Sequence, residues 1–225
     1  MITPSFIPYE ELQKIPLEHE WDDSDAYEVI GPSLTEVHSL LWNVSDRCIL
    51  AFALGCTEWV IARFPEHKYS TIARQYLDAF WLTAIDNNYI HPVEVDAVNW
   101  RGPTLGPIFY SFANLHDVLM GFDEGNAAVD SAFAERIAML VLPDATEFIK
   151  WRNNILRRMR THYSVFPPEE HDDEIQAEII PRDFLDPAIP YDRSNLQELV
   201  RKCRSELLIA DNPFVIRIPD DYPRS

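Results

Sequence analysis

The sequence predicts an all-α protein, a single bundle of six to seven helices with irregular acidic segments at 1–32 and 164–193. Three observations predict it. Apolar residues recur at helical spacing from Ser33 onward, capping boxes open two of those stretches, and β-type signals are confined to short pieces such as YEVI and FVIRI. With 225 residues, 47% of them hydrophobic and 12% aromatic, the chain has ample material for one core.

The elements follow in order. SLTE (Ser33 to Glu36) reads as a capping box opening a short helix to about Trp42. Ser45 caps a second helix to about Arg63, with Cys48, Phe52, Cys56, Val60 and Phe64 one turn apart. Its run CILAFALGCTEWVIA is 15 residues long and contains Glu58, too short and too polar for a membrane span of roughly 20 apolar residues. It therefore predicts a central core helix. Ser70 starts a third helix with Ile72, Tyr76, Phe80 and Ala84 in register. RGPTLGPIFY breaks the chain; Pro107 suits the first turn of a fourth helix, whose stripe is Ile108, Phe112, Leu115 and Leu119, with Gly121 closing it. A fifth runs from about Asn126 through Val129, Phe133, Ile137 and Leu140 to a stop at Pro143. A sixth follows, with Phe148, Trp151, Ile155 and Met159 on its buried face. SNLQ (Ser194 to Gln197) is the second capping box and opens a helix over 194–210, before an extended tail at 211–225. All of this reads as one domain, with 33–163 as the helical core. The connection at 164–193 exceeds the length of ordinary loops, which marks it as functional or disordered.

Net charge is −18, a field that repels nucleic acid and anionic membranes and attracts basic proteins or cations. It is uneven: residues 1–36 and 163–192 carry −8 each, while the body between them carries −3. MITPSFIPYEELQK has neither a basic nor an apolar signal region, so the expected location is cytoplasmic. Cys48 and Cys56 sit eight apart on one helix, about 12 Å at 1.5 Å per residue, too far to bridge, and reduced thiols fit that compartment.

No phosphate loop, dinucleotide fingerprint, nucleophile elbow, CxxC or HExxH is present. Histidines with later acidic neighbours (His19 with Asp22 and Asp23, His91 with Glu94, His171 with Glu174) sit in loops, where solvated acidic runs account for them; no metal or cofactor is expected. Cys56, among apolar neighbours, reads as packing rather than as a nucleophile. Glu58 is the informative residue. A carboxylate in an otherwise apolar helix lies at a rim or pairs inside with an arginine, and a structural ion pair is the expectation over a functional acid.

The sixth helix is basic, with Lys150, Arg152, Arg157, Arg158 and Arg160, and it leads into the acidic run Glu169, Glu170, Asp172, Asp173 and Glu174. Intramolecular pairing is weighed above phosphate binding for these arginines, because the whole-protein field opposes anions. The carboxylates are then left for a partner, together with a second cluster, Glu18, Glu20, Trp21, Asp22, Asp23 and Asp25. An aromatic among carboxylates suits a contact patch.

The segment DRCILAFALGCTEWVIARF followed by YLDAFW resembles the all-helical immunity proteins of bacterial polymorphic toxin systems. The residues that carry the likeness are Arg47, Ala51, Ala53, Cys56, Thr57, Glu58 and Trp81. The same stretch is similar to the YjaG-like helical family of unknown function, through Cys56, Glu58, Leu77, Asp78 and Trp81. The resemblance covers about a third of the chain, about 46 to 120. It implies a protein that neutralises a cognate toxin by binding it and catalyses nothing. A basic toxin domain is then the expected partner, and nucleic acid and membrane are not; the sequence sets no oligomeric state. Two alternatives stand beside this: a small helical enzyme with a pocket around Glu58, and an adaptor or signalling module.

Overall fold

A computed structural model describes residues 4–16, 18–30, 36–65, 67–86, 88–165, 178–208 and 212–219. The fold is all-α, and its axis is α4 (Asp46–Arg63), in which every residue from Cys48 to Arg63 is buried. A helix that is apolar nearly all round has no solvent face to offer, so its neighbours must enclose it. They are α5 (Ser70–Ile85), α6 (Gly102–Glu124), α7 (Ala127–Val141) and α8 (Thr146–His162). The short helices α1 (Tyr9–Lys14), α2 (Ala26–Ile30) and α3 (Glu36–Leu41) precede them in the chain; α1 lies against α4, and the other two lie against α7. Near the C-terminus α9 (Leu196–Leu207) packs on α5. A small sheet pairs β1 (Tyr89–Ile90) antiparallel with β2 (Ile216–Arg217), in the register Tyr89 to Arg217 and Ile90 to Ile216. FVIRI is thus partly strand, whereas YEVI lies in α2.

Several boundaries follow the sequence signals. Ser45 Oγ accepts the Cys48 N–H at 3.4 Å and caps α4, and α8 buries Phe148, Trp151, Ile155 and Met159 as its spacing predicts. Ser33 lies outside the described residues, and α3 is observed from Glu36.

Other boundaries differ for identifiable reasons. Helix α6 starts at Gly102, five residues before Pro107, which therefore lies inside it. Pro107 lacks the N–H that would bond the Pro103 carbonyl, and that carbonyl instead accepts a hydrogen bond from His19 Nε2 at 2.7 Å. The helix also runs past Gly121 and ends at Gly125, whose φ of 75° is the left-handed conformation of a C-terminal cap. Gly121 serves close approach: a Cβ there would stand 2.7 Å from the Ala127 backbone nitrogen.

In α5 the predicted stripe begins one residue early. Ile72 is 37% exposed, and the buried face instead contains Ala73, Tyr76, Leu77, Phe80, Trp81 and Ala84. In α7 the large residues Val129, Phe133 and Leu140 are only half-buried, while the alanines at 127, 128, 132, 134 and 138 face inward with Ile137 and Val141. Small side chains let α7 lie close against α4, where Ser131 Oγ donates to the Ile49 carbonyl at 3.1 Å. At α9 it is Asp192 that caps, accepting the Ser194 N–H at 2.8 Å through an intervening 3-10 turn; Ser194 itself does not cap.

The connection expected to be irregular throughout is in part core. Its described portion, from 178, buries Ile180, Phe184 and Leu185 around the 3-10 turn Arg182–Leu185. Two groups of α8 fasten it: Trp151 Nε1 donates to the Leu185 carbonyl at 2.8 Å, and Arg158 donates to the carbonyls of Phe184, Asp186 and Ile189.

Candidate functional site

Glu58 stands at the centre of the fold, with no exposure to solvent. One carboxylate oxygen pairs with Arg74 and the other with Arg182. The second oxygen also accepts the Trp81 indole N–H at 3.0 Å. Asp78 completes the group, 3.9 Å from Arg182. Arg74, Asp78 and Trp81 lie at i, i+4 and i+7 on α5, a spacing that places all three on one helix face, opposite Glu58 of α4. Arg182 arrives from the 3-10 turn far along the chain. Two carboxylates and two guanidiniums leave the cluster formally neutral, the condition for keeping charge inside a core.

The two acids are held differently. Burial alone would raise the Glu58 pKa, but the charges of Arg182 and Arg74 and the hydrogen bonds from Arg74 and Trp81 outweigh it, leaving Glu58 below its ordinary value. At Asp78 burial dominates; Glu58 adds to it, Arg182 and Arg74 only partly offset it, and the carboxyl is pushed up to about 6. Both Glu58 oxygens are engaged by the protein's own donors.

The N-terminal acidic cluster has a different construction. Residues 18–23 alternate: Glu18, Glu20 and Asp22 are exposed, whereas His19, Trp21 and Asp23 are half-buried against the start of α6. His19 bonds the Pro103 carbonyl, and burial lowers its pKa, consistent with a neutral ring donating from Nε2. Asp23 accepts the Gly102 N–H at 2.7 Å and the Trp21 indole N–H at 2.7 Å. Its carboxylate thereby supplies the N-terminal cap that Arg101 does not, at the positive end of the helix dipole. Trp21 packs edge-on to Tyr110 and lies so near Gly106 that a Cβ there would come within 2.0 Å of its indole nitrogen. Trp21 is therefore an internal anchor, and the exposed edge consists of Glu18, Glu20, Asp22, whose Oδ1 accepts the Ser24 N–H at 2.9 Å, and Asp25. Glu169, Glu170, Asp172, Asp173 and Glu174 lie outside the described residues.

The cysteines are buried and unbridged, and burial raises the thiol pKa of Cys56 well above its ordinary value. Among the described residues, no group of three His, Cys, Asp or Glu side chains is placed to hold a metal ion, and no helix is long and apolar enough to cross a membrane. Sequence reasoning singled out Glu58 but neither Arg74 nor Arg182. The Arg74, Asp78, Trp81 spacing was a readable signal, while the distant Arg182 gave none. Compared with protein-family models, characterised proteins and solved structures, the chain finds no match.

Two outcomes follow from the buried cluster. Glu58→Ala leaves two guanidiniums without their shared acceptor and lowers unfolding stability by about 3 to 5 kcal/mol in urea titration, with Glu58→Gln costing less; an Ala variant as stable as wild type contradicts the arrangement. Asp78 acts with the opposite sign. Its folded pKa of about 6 exceeds the unfolded value of about 3.9, so the folded state holds the extra proton between them. Asp78 ionisation thus costs stability as pH rises from about 4 to about 6, whereas the Glu58 contribution is present above its unfolded pKa and lost on acidification. Asp78→Asn removes the first effect. Its stability relative to wild type should rise between pH 4 and pH 7, and a difference flat with pH contradicts the assignment.

Proposed function

We propose that this protein binds a basic protein partner and neutralises it, as an immunity protein neutralises its cognate toxin, and that it catalyses no reaction of its own. The observation that carries the reading is the acidic edge of Glu18, Glu20, Asp22 and Asp25, held in place by the inward-turned His19, Trp21 and Asp23. A carboxylate row with fixed backing presents charge in one geometry and loses little conformational freedom when a partner arrives. Its field steers a basic surface toward it. The sequence resemblance over about 46 to 120, carried by Arg47, Cys56, Glu58 and Trp81, points the same way. So does Glu58: the acid around which an enzymatic alternative would be built is enclosed by Arg74, Arg182 and Trp81. The run Glu169, Glu170, Asp172, Asp173 and Glu174 is the second arm of the proposal, adding negative charge to the same field.

The experiment uses a toxin domain encoded beside this chain. Co-expression should restore growth, and association kinetics should be measured at low and high salt. Replacing Glu18 and Glu20 with Gln, and Asp22 and Asp25 with Asn, should slow association by roughly tenfold or more at low salt, with the rates converging at high salt where charges are screened beyond about 8 Å. A second variant neutralises 169–174 in the same way. If neither variant changes the low-salt rate, both runs are solvated surface and the reading fails.

A further inference from the structure

The arginines of α8 divide into two groups. Lys150 pairs with Glu147 at 2.6 Å, Arg152 pairs with Glu135 at 2.6 Å, and Arg158 is spent on backbone carbonyls. Arg157 and Arg160 are exposed and pair with no described residue. They lie one turn apart, on the same side of the helix. In a chain with 37 carboxylates against 19 basic residues, two adjacent guanidiniums without a carboxylate among the described residues call for an explanation.

Both line a cleft of about 710 Å³ between α3, α7 and α8. Arg136 and Arg152 line it too, against only Glu36 and Glu135, so the cleft is locally cationic within an acidic protein. Its volume falls in the range of about 300 to 1,000 Å³ usual for small-molecule sites. Asn153 and Ser164 add neutral hydrogen-bond donors to the lining. Val37, Leu40, Met139 and Leu156 supply an apolar floor. Guanidinium forks fit phosphoryl oxygens two at a time, and an apolar floor beside them takes an organic body.

We propose that this cleft binds a phosphate-bearing small molecule, with its phosphoryl oxygens on Arg157 and Arg160 and its organic part against Val37, Leu40, Met139 and Leu156. The site uses none of the acidic-edge residues, so it stands or falls independently of the toxin-binding reading. The dimensions favour a compact ligand over a protein segment, and the hydroxyl and amide donors suit oxygens of a compact polyanion.

Calorimetric titration of the full chain tests this with inorganic pyrophosphate, ADP, adenosine and a glutamate-rich peptide as probes. The comparison protein carries Arg157→Gln and Arg160→Gln; both positions are exposed and pair with no described residue, and an unchanged melting curve verifies that its fold is kept. The expected result is binding of pyrophosphate, tighter binding of ADP, none of adenosine, and roughly tenfold loss per arginine replaced. Affinity should also fall as salt rises. Absence of binding by both phosphates, equal binding by the double variant, or adenosine binding as well as ADP would overturn the proposal. ADP no tighter than pyrophosphate would overturn the role given to the apolar floor. Tighter binding of the peptide than of either phosphate would replace the small molecule with an acidic protein segment.

Discussion

The constraint on which the rest of the structure depends is the burial of Glu58 in a helix with no solvent face. A carboxylate at that depth must be matched by charge, and the chain matches it twice, from α5 through Arg74 and from the 3-10 turn through Arg182. Because Arg182 lies more than a hundred residues from Glu58 in sequence, the pair ties a late segment to the first long helix. Phe184 and Leu185 then complete the core beside it. Apolar side chains in place of the cluster would satisfy stability alone, but an apolar seam would tolerate sliding. The ion pairs accept one register of α4, α5 and the turn.

Three other arginines are turned toward the backbone. Arg63 donates to the carbonyls of Val141, Leu12 and Pro16; Arg136 to that of Ile30; and Arg158 to three carbonyls of the 184–189 segment. Helix ends and turns leave carbonyls with spare acceptor capacity, and here arginines fill it. Cations turned toward the backbone cannot neutralise surface acids. The strongly negative exterior is thus partly a consequence of how the interior is held together, and the acidic edge at Glu18 to Asp25 and the cationic cleft on α8 stand out against it as opposite local arrangements.

Much of the fold was legible because long amphipathic and wholly apolar stretches carry their period openly. The stripe of α8 and the cap at Ser45 are examples. What the sequence hid is physically consistent. The inward face of α7 is written in alanines, which carry little hydrophobic signal yet permit the closest packing. The true start of α6 is masked by Pro107, whose missing N–H is compensated by His19, a residue distant in sequence. Trp21 looked like an exposed contact residue because its neighbours are acidic; alternation between inward and outward side chains in an extended segment places it against Gly106 instead. At the buried site, Glu58 announced itself as a charge in an apolar run, but the identity of its partners required the chain to be folded.

The most direct test of this account is a double-mutant cycle between Glu58 and Arg182, using Glu58→Gln and Arg182→Met, read by urea unfolding at pH 7. If the pair locks the late turn to α4, the two substitutions are coupled by about 1 to 3 kcal/mol, with the double variant more stable than the sum of the single losses predicts. Simple additivity, with a coupling energy near zero, would mean that the core is held without this ion pair and would contradict the central role assigned to Glu58.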